Sequence, residues 1–366
     1  MRILILTTNR ADYHKLEKII DFFYNSKKYK LYLIVSGCHL LTDYGMTWKD
    51  IKYPIYKKIN TFINVEDEKF MPESVAFSMT KYPSLLEEIK PDKVILHGDR
   101  FDIISMAFSC LLMNIKIIHI EGGENTSCVD DKIRNSVTQI ATYNLVSNSF
   151  AFNKLLSMGI DKEKIFITGC PIIDKIKKFN NDRENWENIK NKINLTENIK
   201  NNYIVCCFHI DTVSVRKSIE DFLIILKTLK KIDKTNIIFY PNIDTCDKKL
   251  IRYLDNICKD KNFIPIKSLN FVDYFSLIYN SGITIGNSSS IVRELPCTGK
   301  SHILLGSRQK GRYLSKNTIF LEDFTELELE DKIIKNFNIE TEKDFIYGEG
   351  NFIKNLIKYE NDIFAE

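Results

Sequence analysis

Short, continuous, β-branched apolar runs recur along this chain, and each is separated from the next by a longer amphipathic stretch. MRILILTT, LYLIVSG, KVILHGD, IKIIHIEGGE, NLVSNS and IFITGCP fill the first half. Runs that do not alternate with polar residues suit strands covered on both faces, as in a parallel sheet. Segments 12–26, 73–90, 101–113, 130–142 and 149–158 carry helical spacing between them. Leu85, Leu86 and Ile89, for example, share a face opposite Glu87 and Glu88. The pattern predicts a doubly wound α/β domain.

Over 173–201 the pattern breaks into a polar, charged stretch that reads as a helical linker. It then restarts with NYIVCCFHI, NIIFYPNID, FIPIKSL, SGITIGNSS, SHILLG and TIFLED, with helices expected near 214–231, 246–258, 270–279, 288–298 and 326–336. Two Rossmann-like α/β domains are therefore expected, 1–172 and 173–349, facing each other across a cleft. A terminal helix over 350–366 is expected to pack back on the first. A ligand would bind in the cleft, at the carboxyl ends of the strands.

The 366 residues are 44% hydrophobic and 27% charged, which excludes a disordered chain. Fifty-two basic against forty-eight acidic side chains leave +4, too little and too evenly spread for a nucleic-acid partner. The nine cysteines are odd in number and form no CxxC pair, so free buried thiols in a reducing compartment are expected instead of disulfides or zinc. MRILILTT is too short for a signal peptide, and no run approaches the roughly 20 apolar residues that span a bilayer. A cytoplasmic protein with no membrane partner is expected.

The informative residues follow the strands. After the first comes Thr7-Thr8-Asn9-Arg10-Ala11-Asp12-Tyr13. It lacks the GxGxxG of a dinucleotide loop, so NAD and FAD are disfavoured, and Arg10 stands where a phosphate would be met. It also fits a solvated turn. The third strand ends in His97-Gly98-Asp99-Arg100, and the fourth in His119-Ile120-Glu121-Gly122-Gly123-Glu124, followed by Asp130-Asp131-Lys132-Ile133-Arg134. One acid at a helix start is an ordinary cap. Three acidic clusters on one strand edge instead suggest carboxylates that split acid and base roles. His97, Asp99, His119 and Glu121 also suit a divalent metal, but Arg100 and Arg134 beside them favour an anionic substrate. No metal and no cofactor is assigned.

In the second half, one strand ends at His209 and another precedes Asn242 and Asp244. Gly286-Asn287-Ser288-Ser289-Ser290 leads into a helix, an arrangement that suits a phosphate, although Ser288 also fits a plain cap. Glu294, about two turns further, could accept both hydroxyls of a ribose, or simply face solvent. Gly306-Ser307-Arg308-Gln309 adds a strand-end guanidinium suited to a diphosphate. The residues alone describe a two-domain enzyme that holds a nucleotide-sugar and uses carboxylates for acid–base chemistry.

NRADYHKL, SGCHLLTDYG, LHGDRFD, HIEGGENTSCVDDKIR, GCPIIDK, YPNID, GNSSSIVRE and LLGSRQKGR together resemble the hydrolysing UDP-N-acetylglucosamine 2-epimerases of sialic-acid biosynthesis, in order over nearly the whole chain. The resemblance implies a GT-B-like fold, a UDP-sugar substrate, and conversion of UDP-GlcNAc and water to N-acetylmannosamine (ManNAc) and UDP. The implied route is elimination of UDP across C1–C2, then hydration with inversion at C2. It implies Asp99, Glu121 and Asp130 as proton-transfer carboxylates, with Arg134 beside them and Glu124 and Asp131 as further acids. His119 would position Glu121 or contact the sugar, and His209 would meet the diphosphate as an imidazolium.

For the nucleotide the resemblance implies Arg10, Arg100, Asn242, Ser288, Ser289, Glu294 and Arg308, with Lys267-Ser268-Leu269 lining the uracil. It departs at His14, where relatives carry Ser, and around Asp211 and Thr212. It also implies a homodimer or homotetramer. Some relatives are fused to a sugar kinase, which a chain ending one helix later at Glu366 is not expected to carry. Competing readings are the same chemistry on UDP-2,4-diacetamido-2,4,6-trideoxyglucose for legionaminic acid, a non-hydrolysing 2-epimerase, a retaining glycosyltransferase, and a non-catalytic UDP-sugar sensor.

Overall fold

A computed structural model describes residues 1–42, 45–62, 70–126, 129–195, 199–211, 213–241, 248–267 and 269–365, with the backbone alone at 248–251. The apolar runs of the first half become β1 (Arg2–Thr7), β2 (Lys30–Val35), β4 (Lys93–His97), β5 (Lys116–Ile120), β6 (Tyr143–Val146) and β7 (Ile165–Ile167), with a two-residue β3 (Lys57–Lys58) at the edge. Among the described residues they form one parallel sheet in the order β3-β2-β1-β4-β5-β6-β7. Strand period sends Ile3 and Ile5 to one apolar layer with Leu16 and Phe23, and Leu4 and Leu6 to the other with Leu85 and Met106. Each strand is thus apolar on both faces, because helices cover both.

The second half repeats the plan with β8 (Tyr203–Cys207), β9 (Thr235–Phe239), β10 (Phe263–Ile266), β11 (Ile283–Gly286), β12 (His302–Leu305) and β13 (Thr318–Leu321). This parallel sheet runs β10-β9-β8-β11-β12-β13. The strand order reverses between β1 and β4 in the first sheet and between β8 and β11 in the second. Such switch points open a crevice beyond the carboxyl ends of the strands, where doubly wound sheets hold ligands.

The chain divides into two compact units. One comprises Met1–Glu124, Asp130–Lys175 and the residues from Tyr347 onward, and the other Asn125–Val129 and Ile176–Ile346. In the first unit the helices Phe352–Lys358 and Glu360–Phe364 bring Phe352, Leu356, Ile363 and Phe364 into the layer of Ile3 and Phe23. The buried Lys93 ammonium donates to the carbonyls of Ile363 and, at 3.0 Å, Ala365. Asp174 accepts from Phe352 N at 2.9 Å.

Three elements differ from the sequence expectation. The helix expected over 73–90 is two, Phe70–Met79 and Tyr82–Ile89, because Pro83 lies in the first turn of the second and cannot continue a helix arriving from upstream. The helix expected over 288–298 stops after Ser289–Arg293, and Leu295–Thr298 continues as a 3₁₀ turn opening on Pro296. The segment 173–201 is more than a linker. Its helix Arg183–Lys192 buries Trp186 and Ile189, and Trp186 stacks on Tyr203 with centroids 6.1 Å apart. No helix among the described residues is long and apolar enough to cross a membrane.

Candidate active site

At the first switch point, β1 runs into a helix, Arg10–Asn25, capped by Asn9, whose side chain accepts from Asp12 N at 3.0 Å. Asp12 in turn accepts from Thr8 N at 3.0 Å. Burial lowers the pKa of the Arg10 guanidinium, with Asp50 opposing the shift. Beyond β4, Gly98 turns at φ +81°, and Asp99 follows to pair with Arg134. Arg134 is 1% exposed, on the helix Val129–Ile140. It also donates to Asp131 Oδ1 at 2.6 Å and to the Glu124 carbonyl at 2.8 Å. Burial opposes its charge, but Asp99, then Glu124 and Asp131, outweigh it and raise its pKa. Asp130, half-buried, opens the same helix.

Glu121 follows β5 in a left-handed conformation, φ +66°, which a residue with a Cβ rarely adopts. Its side chain is 3% exposed and meets Lys15 Nζ at 3.0 Å, His97 Nε2 at 3.1 Å and the Cys170 thiol at 2.6 Å. His97 Nδ1 is 2.7 Å from Asp12 Oδ1. The acids thus form two groups: Asp99 and Asp131 on Arg134, and Glu121 and Asp12 around His97 and Lys15.

His119 corrects an expectation. It is fully buried, and its ring nitrogens meet Gly98 O at 2.8 Å and Thr138 Oγ1 at 3.1 Å, so it holds the turn that presents Asp99 and touches neither Glu121 nor solvent. Burial lowers its pKa to about 4. The four side chains weighed as metal ligands do not converge either, since His119 is committed to that turn and Asp99 to Arg134. Arg100, expected at the nucleotide, contacts Asp102 at 3.3 Å and Cys38 Sγ at 3.6 Å. Both His14 ring nitrogens are buried without a partner, and its pKa is pushed down to about 4 by burial, then by Lys175 and Arg10.

At the second switch point a side chain ties two strand ends together. Asn287 Oδ1 accepts from His209 N at 2.7 Å, and its amide donates to His209 O at 2.8 Å. Asn287 N and Ser288 N both donate to Cys207 O, at 3.0 and 3.2 Å. So close an approach requires glycine next door: at Gly286, φ +136°, a Cβ would lie 2.1 Å from Cys207 O. Arg308 Nη1 donates to Asn287 O at 3.1 Å. Phe208, Asp211, Ser218, Asn287, Ser307 and Arg308 line a small recess beside this tie.

Ser288 caps the short helix through Ser290 N at 3.4 Å, and Ser289 accepts from Arg293 Nη2 at 3.4 Å. A five-residue helix supplies little dipole, and the amides of His209, Asn287 and Ser288 are already bonded, so the serine hydroxyls are the donors at this strand end that suit an anion. Glu294 ends that helix instead of lying two turns inside it. In the free protein, burial and then Arg308 lower the pKa of His209 to about 3. Leu269 is half-buried, just before the helix Phe271–Tyr279. Asn242, Asp244, Thr212 and Ser268 lie outside the described residues.

A model of the family UDP-N-acetylglucosamine 2-epimerase matches residues 23–359. The chain belongs to that family. It is 31% identical over 318 residues to the UDP-N-acetylglucosamine 2-epimerase of Neisseria meningitidis serogroup B, covering 87% of this chain and 83% of the relative. The GDP/UDP-N,N'-diacetylbacillosamine 2-epimerase (hydrolyzing) of Campylobacter jejuni is 30% identical over 327 residues, with the same shares covered. Among solved structures, UDP-GlcNAc 2-epimerase from Neisseria meningitidis bound to UDP-GlcNAc superposes with a TM-score of 0.82 at 18% identity, covering 98% of this chain and 99% of that one. The Methanocaldococcus jannaschii enzyme in complex with UDP-GlcNAc and UDP gives 0.82 at 19% identity, covering 99% of each. The fold is therefore the GT-B-like pair of parallel-sheet α/β domains.

Within this 2-epimerase fold, sequence reasoning missed Lys15, Asp12 and Cys170 as neighbours of Glu121, weighed His97 only as a metal ligand, and gave Asn287 no task. His97, Cys170 and Asn287 lie at or shortly beyond strand ends, which was the available signal, whereas Asp12 and Lys15 lie inside the helix after β1. Their partners lie up to 106 residues away, from Lys15 to Glu121, and no local pattern shows that.

Proposed function

We propose that the protein is a hydrolysing epimerase that converts UDP-GlcNAc and water to ManNAc and UDP, the first step of sialic-acid biosynthesis. Base abstraction of the C2 proton and departure of UDP with the C1–O electron pair give a glycal. Water then supplies hydroxyl to C1, and a proton reaches C2 from the opposite face. The observation that carries the reading is that Asp99, just past Gly98 at the end of β4, and Glu121, directly after β5, follow hydrogen-bonded neighbouring strands of the first sheet. Two carboxylates held by different partners suit separate donor and acceptor roles. Asp130 is the third proton-transfer candidate, and Arg134 orients Asp99.

The nucleotide is assigned to Arg10, Arg100, Asn242, Leu269, Ser288, Ser289, Glu294 and Arg308. His209 is neutral in the free protein, and a bound diphosphate would raise its pKa and let it charge as UDP departs. No metal or cofactor is required by this route. A homodimer or homotetramer in the cytoplasm is proposed with it.

An NMR time course with UDP-GlcNAc in D2O tests the reading: ManNAc deuterated at C2 and UDP should appear without any acceptor sugar. Asp99→Asn and Glu121→Gln should abolish turnover while UDP still binds. UDP-ManNAc as the sole product would make the enzyme non-hydrolysing. The 30% identity to the diacetylbacillosamine enzyme favours a second reading, the same elimination on UDP-2,4-diacetamido-2,4,6-trideoxyglucose. Comparing UDP release from the two sugars decides between them.

A further inference from the structure

The ring of His97, the last residue of β4, is 6% exposed and stands between two carboxylates. Nδ1 lies 2.7 Å from Asp12 Oδ1 and Nε2 3.1 Å from Glu121 Oε2. Neither contact is aligned as a hydrogen bond, since His97 Nε2 and Asp12 Oδ1 have no hydrogen-bond partner, so the pairing is one of charge: a carboxylate oxygen within 3.1 Å of each ring nitrogen favours the doubly protonated ring. Asp12 is held in place by Thr8 N, and β4 carries the ring, so the contact to Glu121 is built on fixed elements on both sides. The other titratable groups facing this ring are Lys15 from the same helix as Asp12, and Cys170, whose thiol donates to Glu121. His119 stands on β5, and Asp102 lies behind Asp12.

We propose that His97 is a positioning residue for Glu121, a doubly protonated bridge from Asp12 that sets the orientation of the Glu121 carboxylate and keeps it ionised. The proposal rests on the assignment of Glu121 to proton transfer. Burial alone would discharge the ring, but Glu121, then Asp12, outweigh burial and Lys15 and raise its pKa. The other five histidines all shift down: His14, His39, His119 and His302 to about 4 and His209 to about 3.

Nitrogen-15 NMR of the full chain, labelled at histidine and titrated from about pH 5 to 9, reads the bridge directly, with His97→Gln assigning the signal. At pH 7 one imidazolium among the six rings is expected, belonging to His97. Glu121→Gln should lower its pKa by about one unit or more. A neutral His97 tautomer at pH 7 overturns the proposal. This readout needs no substrate, so it survives failure of the assigned reaction.

In turnover, His97→Gln keeps the side chain polar and removes its charge. We expect kcat to fall by about tenfold or more with KM changed by less than about threefold. The acid limb of kcat should move to higher pH, because Glu121 without that cation takes up a proton more readily. A merely structural histidine would leave the limb where it is, and an unmoved limb overturns the proposal.

Discussion

Among the described residues Arg134 is the largest fully buried side chain, and it is charged. Its guanidinium spans Asp99, Asp131 and the Glu124 carbonyl, a reach that an ammonium cannot copy from one position. Arg134→Lys should therefore fold but lose turnover by about 10²-fold or more, while its affinity for UDP, assigned largely to the other unit, changes little. Loss of UDP binding in step with turnover would show that Arg134 serves the nucleotide instead. Gly286→Ala makes the opposite forecast. The added methyl meets the Cys207 carbonyl in a backbone conformation that suits only glycine, and a loss of about 3 kcal/mol or more is expected, read as the urea midpoint. At this scale legibility followed strand ends. Asp99, Glu121, Ser288 and Arg308 could be singled out because each follows a strand. The tasks of His97 and Cys170 could not, because a hydrogen bond to Glu121 from Cys170 spans 49 residues and leaves no local pattern.

The helices Phe352–Lys358 and Glu360–Phe364 complete the apolar layer over β1, and the buried Lys93 finds its carbonyl partners at their end. Ending the chain at Ile346 would uncover Phe23 and leave that ammonium without those acceptors, a loss of several kcal/mol. The truncated chain should be cleaved rapidly by trypsin within 1–175 under conditions where the full chain resists. Equal resistance would mean that the layer is closed without them. Most strands could be placed from the sequence, because parallel strands buried on both faces are continuous apolar runs. Where the reading failed, proline or brevity was the reason. Pro83 and Pro296 divide patterns whose apolar spacing runs on without interruption, and Lys57–Lys58 carries no apolar signal at all. The charged stretch around Trp186 was read as a linker because one buried aromatic and one isoleucine are a faint stripe beside so many lysines and asparagines.

For the molecule as a whole, the histidines set a pH dependence of stability. His14, His39, His119, His209 and His302 have folded pKa values of about 3 to 4, below the ordinary 6.5 that they regain on unfolding. The unfolded chain therefore binds more protons, and stability should fall as pH drops through 6.5, the loss levelling off below about 4. For a fully buried ring such as His119 or His302 the difference is worth about 3 kcal/mol at the acid end. His97 opposes the trend, since its raised value contributes stability at low pH that is lost as pH rises past it. Calorimetry should show Tm dropping steeply between pH 6.5 and 4, and a flat Tm over that window would contradict the burial described for these rings. The two-sheet plan was legible at this scale because the apolar rhythm stops and restarts once. Partners that come from distant parts of the chain were not.

His209 is anchored to Asn287 through its own peptide N–H and carbonyl. Those two bonds are indifferent to what the imidazole does, so gaining or losing a proton there leaves the strand tip where it was. They are equally available to any residue except proline, which makes His209→Asn a clean amputation of chemistry from an intact frame.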